Sequence, residues 1–159
     1  KTLLLERFAL YCAESLLARR NYSVGEFKER LRQKEIGLDL IKQIVAEFRQ
    51  LDLLDDFRYG QMRVRSVIRR KPAGRGFLIA DLQKRLVPRD IAEKVVTEAL
   101  KDSDEIEMAV ELLEKRRAAF TKFDLETKRR KAYTYLSRRA ISYGASKAAF
   151  DMVFGKTQK

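Results

Sequence analysis

Along most of the chain, apolar residues recur every three or four positions with polar residues between them, which is the spacing of amphipathic helices. Residues 3 to 20 place Leu5, Phe8, Ala9, Cys12, Ala13 and Leu16 on one face and end in Arg19 and Arg20, cations suited to the negative end of a helix dipole. Asn21 and Tyr22 break the pattern. Ser23 followed by Glu26 then forms a capping box, in which hydroxyl and carboxylate satisfy helix-start amides reciprocally, for a second helix with Phe27 and Leu31 inward. Leu40, Ile41, Ile44, Val45 and Phe48 form the stripe of a third.

From Leu51 to Lys71 the pattern gains a chemical bias. Asp55 and Asp56 stand where a helix begins, apolar Phe57, Val64, Val67 and Ile68 follow at helical spacing, and Arg69, Arg70 and Lys71 close the segment. Pro72, Ala73 and Gly74 interrupt the chain before a helix from Phe77 to Arg85. The next helix has Pro88 in its first turn, where a missing N–H costs nothing. Residues 104–117, acidic early and basic late, predict one continuous helix. A basic helix with Tyr133 and Leu136 and an alanine-rich helix from Ile141 to Phe154 complete the order, and residues 155–159 read as a frayed tail.

The grammar repeats. Counted from Leu31, Leu82 and Leu136, a cation stands at the third position (Lys34, Arg85, Arg139) and an apolar residue at the fifth (Ile36, Val87, Ile141). Apolar pairs follow at the thirteenth and fourteenth positions: Ile44 with Val45, Val95 with Val96, and Ala149 with Phe150. The three frames lie 51 and 54 residues apart and need no gap. The expectation is an all-α fold of three tandem three-helix, helix-turn-helix-like units, 3–54, 55–102 and 103–154, forming an elongated, curved molecule.

Composition agrees with helices, since 7 Gly and 2 Pro in 159 residues leave little turn chemistry for a sheet-rich fold. The net charge of +12 favours an anionic partner. It is unevenly spread: residues 1–54 carry 10 bases and 8 acids, residues 55–102 carry 12 and 7, and residues 103–159 carry 13 and 8. The single Cys12 forms no internal disulfide, and no apolar run reaches the roughly 20 residues of a membrane span, so a cytoplasmic location is expected.

Without histidine, and with one cysteine on an apolar face, the chain lacks the commonest general base and any soft metal site. Asp55 and Asp56 read as caps and not as a cation site, and Gly74-Arg75-Gly76 reads as a helix-breaking loop, lacking the spacing of a phosphate-binding loop. No catalytic, cofactor or metal site is expected. What remains is cationic. No acid lies between Phe57 and Ala80, while Arg58, Arg63, Arg65, Arg69, Arg70, Lys71 and Arg75 all do. A run of charge usually means a solvated face, but cations without acids repel one another unless an anion is present. Tyr133, Tyr135 and Tyr143 read as packing residues before stacking platforms.

Four stretches together resemble the RecX family of bacterial recombination regulators, over about Phe8 to Phe154. They are Leu53-Leu54-Asp55-Asp56-Phe57-Arg58-Tyr59, the basic helix ending Arg69-Arg70-Lys71, the segment Leu82 to Val96, and Tyr135-Leu136-Ser137-Arg138-Arg139-Ala140-Ile141-Ser142. Pro72-Ala73-Gly74-Arg75-Gly76 departs from the Gly-Pro pair usual there, and Glu35, Leu86 and Ala140 stand where the family often has Gly. The resemblance implies a non-enzymatic negative regulator that binds in the groove of the RecA–DNA filament and suppresses ATP hydrolysis, strand exchange and co-protease activity. Its implied partners are RecA and single- and double-stranded DNA, with no membrane and with a monomer as the expected state. The expected contact residues are Arg58, Arg63, Arg65, Arg69, Arg70, Lys71, Arg75, Lys128, Arg129, Arg130, Lys131, Arg138 and Arg139. The competing reading is an autonomous DNA-binding protein of helix-turn-helix-like repeats.

Overall fold

The computed structural model describes residues 2–155, which form ten helices and no strand. They are α1 (Thr2–Arg19), α2 (Val24–Arg32), α3 (Leu38–Gln50), α4 (Asp56–Arg70), α5 (Arg75–Lys84), α6 (Arg89–Leu100), α7 (Glu105–Glu114), α8 (Arg117–Phe120), α9 (Leu125–Arg138) and α10 (Tyr143–Phe154). The chain divides into two compact bodies, Lys1–Arg63 with Asp81–Val95, and Val64–Ala80 with Val96–Lys159. No described helix is long and apolar enough to cross a membrane.

In the first body the Ser23 capping box forms as the spacing predicts: the Ser23 hydroxyl accepts from Glu26 N at 3.1 Å and the Glu26 carboxylate accepts from Ser23 N at 3.4 Å. Phe27 and Leu31 of α2 are fully buried against Phe48 of α3 and Ala13 of α1. Asp55 caps α4 by accepting from Arg58 N at 3.0 Å. Asp56 is buried and accepts from Val24 N at 2.9 Å, tying the start of α4 to the start of α2. That burial pushes its carboxyl above the ordinary range although the bond from Val24 opposes it.

In the second body Leu112, Leu113, Leu136 and Phe150 form the centre of a core shared by α7, α9 and α10. Asp104 caps α7 through Ile106 N and Glu107 N at 2.8 and 3.1 Å. Glu105 reaches across to the start of α10, accepting from Ser142 N at 2.7 Å and from its hydroxyl at 2.8 Å.

One turn recurs at the frames read from the sequence. The carbonyls of Leu31, Leu82 and Leu136 each accept from the amide three residues on, at 3.0 Å every time. Each also accepts from the amide five residues on, at 3.4, 3.1 and 3.1 Å. Between those donors Glu35, Leu86 and Ala140 adopt φ of 60°, 61° and 57°. This is the left-handed helix stop that glycine normally supplies, carried here by three side-chain-bearing residues.

Four local expectations are corrected. Leu5 and Phe8 are 62% and 52% exposed, because among the described residues nothing covers the first turns of α1 and its buried stripe starts at Ala9. Phe57 is 40% exposed: α4 turns Tyr59, Gly60 and Val64 inward, and the bare Gly60 lets Val95 approach to where a Cβ would find Val95 Cγ2 at 3.1 Å. The helix predicted over 104–117 stops at Glu114 and resumes as the short α8, with Arg116 at φ −110° and ψ 5°. The break accompanies burial of Phe120 against Phe154 at a ring distance of 5.5 Å, a gain of about 1.5–3 kcal/mol that outweighs the lost helix propagation. Pro88 sits one residue ahead of α6, its carbonyl accepting from Ala92 N at 2.9 Å. Of the tail expected at 155–159, the residues beyond Gly155 lie outside the described ones.

Candidate functional site

The expected contact residues separate into those with internal partners and those left free. Arg63 is committed to Asp81 of α5 through Nε and Nη2 at 2.7 and 2.9 Å. With both side chains about a quarter exposed, this is a shielded, bidentate pair. The bond from Arg63 holds the Asp81 carboxyl below its usual range. Arg139 is also structural: it donates to Pro72 O at 3.0 Å and Lys71 O at 2.9 Å, and its guanidinium lies 4.1 Å from the Phe77 ring centre. Arg58 donates to Asp52 O, and Arg75 donates to the Thr97 hydroxyl at 2.6 Å. The Gly74 amide donates to Arg139 O at 2.8 Å, and Arg75 and Gly76, expected in a helix-breaking loop, are instead the first residues of α5, so Gly74 is a joint and not part of an anion nest.

The rest keep their charge available. Among the described residues Arg65, Arg69 and Arg70 on α4, Lys71 just past it, and Lys128, Arg129, Arg130, Lys131 and Arg138 on α9 make no ion pair. All of them belong to the second body, which carries 19 bases and 10 acids, net +9, against 16 and 13, net +3, for the first. The structure brings the end of α4 to α9: Lys71 Nζ lies 4.7 Å from the Tyr135 ring centre. Tyr133 packs edge-on against Tyr143 and Phe150 at 5.5 and 6.0 Å, as a packing residue does.

One cation of this surface was not singled out by the sequence pattern. Arg116, between α7 and α8, lies 4.1 Å from the Tyr135 ring centre. In the run Lys115-Arg116-Arg117 its neighbours pair with acids one turn back, Lys115 with Glu111 and Arg117 with Glu114. The residues one turn before Arg116 are Leu112 and Leu113, so helical spacing alone leaves it without a partner. No group of three or more candidate metal ligands occurs among the described residues.

No family model matches the chain. Curated relatives do. The regulatory protein RecX of Pelodictyon phaeoclathratiforme is 28% identical over 145 residues, covering 91% of this chain and 88% of its own. That of Prosthecochloris aestuarii is 30% identical over 145 residues, covering 91% and 93%. The chain belongs to the RecX family. The crystal structure of RecX from Lactobacillus salivarius shares its fold with a TM-score of 0.82 at 22% identity, over 94% of this chain and 97% of that one. A second RecX crystal structure gives 0.79 at 17% identity, over 98% and 75%. In this RecX chain, then, the fold is an all-helical one shared with solved RecX structures, and its relatives are named regulatory proteins.

Proposed function

We propose that this chain is a negative regulator of RecA that binds the RecA–DNA filament and suppresses its ATP hydrolysis, strand exchange and co-protease activity. The family resemblance implies RecA as the partner, and the free cations of the second body supply the chemistry for a nucleoprotein surface. On this reading three tandem three-helix repeats form the scaffold, and Arg65, Arg69 and Arg70 of α4 and Lys71 just past it, with Lys128 to Lys131 and Arg138 of α9, make the contacts. Arg58, Arg63, Arg75 and Arg139 hold the scaffold that presents them, as their internal bonds to Asp52, Asp81, Thr97, Pro72 and Lys71 argue. The observation that carries the reading is that nine of the expected contact cations, all in one body of a RecX chain, make neither an ion pair nor a side-chain hydrogen bond among the described residues.

The test is RecA's single-stranded-DNA-dependent ATP hydrolysis while the protein is titrated in, at near-physiological salt. A fall at amounts well below one per RecA is expected, and the double charge reversal Arg69→Glu with Arg70→Glu abolishes it without changing the helical circular dichroism. Undiminished hydrolysis together with tight, salt-sensitive binding to bare DNA would move the function to an autonomous DNA-binding protein.

A further inference from the structure

The second body contains a concavity of about 490 Å³ whose lining includes Arg116, Arg130, Lys131 and Arg138 with Phe123, Thr134 and Tyr135. No carboxylate lines it. Four cations facing one small volume repel one another, and the usual remedy of a nearby acid is missing here, since none of the four joins an ion pair among the described residues. The aromatic lining does not relieve this by binding an apolar ligand. Arg116 and Lys71 lie over the Tyr135 ring at 4.1 and 4.7 Å, and Lys131 lies over the Phe123 ring at 4.7 Å, so cations already use the ring faces that a base would stack upon. Thr134 directs its hydroxyl to Arg130 O at 2.9 Å. Tyr135 carries a buried hydroxyl with no hydrogen-bond partner, the one such side-chain atom among the described residues. That hydroxyl is closed off from solvent, so a ligand in the concavity meets the four cations and not this donor.

We infer that the Arg116–Arg130–Lys131–Arg138 concavity is a phosphate-binding site, occupied by phosphodiesters of a single-stranded nucleic acid. The cation–π contacts hold the guanidinium and ammonium groups in place beforehand, which lowers the entropy cost of gathering them around an anion. Arg130 and Arg138 are eight residues apart on α9, about 12 Å along the axis, a longer span than one phosphate covers. A polymer of phosphates meets both ends and a free phosphate meets one. With the ring faces occupied and no base-reading group presented, binding is independent of sequence. The site deepens the reading of the second body as a nucleoprotein surface and rests on it for its biological occupant, but its phosphate chemistry stands on this geometry.

The experiment uses the full chain without RecA, labelled with nitrogen-15 and titrated with inorganic phosphate at constant ionic strength, then with a single-stranded oligonucleotide of about 15 nucleotides. Saturable shifts of the Arg116, Thr134 and Tyr135 amides are expected with both. Arg116→Ala with Arg138→Ala weakens both by at least about tenfold, while Lys147→Ala on α10 leaves them unchanged. Both arginines are exposed, so the double variant keeps its fold. A site for free phosphate alone, shown by phosphate shifts that the oligonucleotide neither reproduces nor displaces, overturns the nucleic-acid assignment. Shifts spread over every basic helix and indifferent to the double variant overturn the site, and so does a response to an acidic peptide with none to phosphate. Because RecA is absent, these failures leave the RecA reading standing, and a failure to inhibit RecA leaves the phosphate site standing.

Discussion

Gly74→Ala should be the most damaging single-methyl change in the molecule. A Cβ built on Gly74 falls on the backbone oxygen of Ala140 and 2.7 Å from its carbonyl carbon, with Arg139 O at 3.3 Å. These neighbours are backbone, so no rotamer change clears them and the start of α5 must retreat. Retreat breaks the Gly74 N–Arg139 O bond of 2.8 Å, worth about 1 kcal/mol, and stretches two guanidinium bonds from Arg139 to Pro72 O and Lys71 O, worth about 1.5–3 kcal/mol each while they hold. Partial loss of the pair, less about 0.4–1 kcal/mol that alanine gains by restricting the unfolded chain, leaves a net cost of about 2–4 kcal/mol. In urea titration followed by far-ultraviolet circular dichroism the midpoint drops at unchanged slope, and Tm falls by roughly 2–4 °C per kcal/mol. Gly76→Ala is the control two residues on. Its Cβ would sit 3.6 Å from Ala140 Cβ, an ordinary contact, so it should be neutral or stabilising by up to about 1 kcal/mol. A Gly74→Ala protein within about 0.5 kcal/mol of the parent would refute the joint described here.

Two further outcomes follow from local geometry. A double-mutant cycle on Arg63→Ala and Asp81→Ala should give a coupling of about 1–2 kcal/mol at neutral pH. Asp81 titrates below its ordinary value in the folded state, so this coupling is complete above the unfolded value and fades as pH falls through the lower folded one; a coupling unchanged in strong acid would contradict the pair. Glu35→Gly should raise stability by about 0.5–1 kcal/mol, since glycine removes a left-handed penalty of about 1–2 kcal/mol against an entropy cost of about 0.5–1 kcal/mol at this exposed turn, and a lower urea midpoint would show that the turn is not strained.

Helix order was legible because each stripe is read by burial along one face, as at Ile41, Ile44, Val45 and Phe48, all of which are buried. The Ser23 box was legible because it is closed within four residues. Readings failed where the outcome depends on what lies opposite. Phe8 has the spacing of a core residue but no neighbour among the described residues to cover it, and Phe57 yields the inward face of α4 to Gly60, a residue whose value is the absence of a side chain. Arg63 and Arg139 count as free cations in any sequence tally, because Asp81 and the Pro72 carbonyl are eighteen and sixty-seven residues away. The reverse error hid Arg116, whose neighbours in a charged run are paired while it is not.

The recurring turn explains how such distant contacts are made without matching side chains. A helix end leaves carbonyls without intrahelical donors, and a helix start leaves amides without acceptors. By entering the left-handed region, Leu86 and Ala140 end their helices with the preceding carbonyls, Arg85 O and Arg139 O, available to another helix start. Arg85 O accepts from the Ser23 hydroxyl ahead of α2, and Arg139 O accepts from Gly74 N ahead of α5. Bare Cα positions make the approach possible in both places, Gly25 over Leu86 with a would-be Cβ 2.5 Å from Leu86 Cβ, and Gly74 over Ala140. At Gly74 the joint is therefore backbone meeting backbone, and at Gly25 it is a serine hydroxyl meeting a backbone carbonyl. That is why residues as different as leucine and alanine serve at the stop, and why the glycines that matter most lie about sixty residues upstream of the turns they touch.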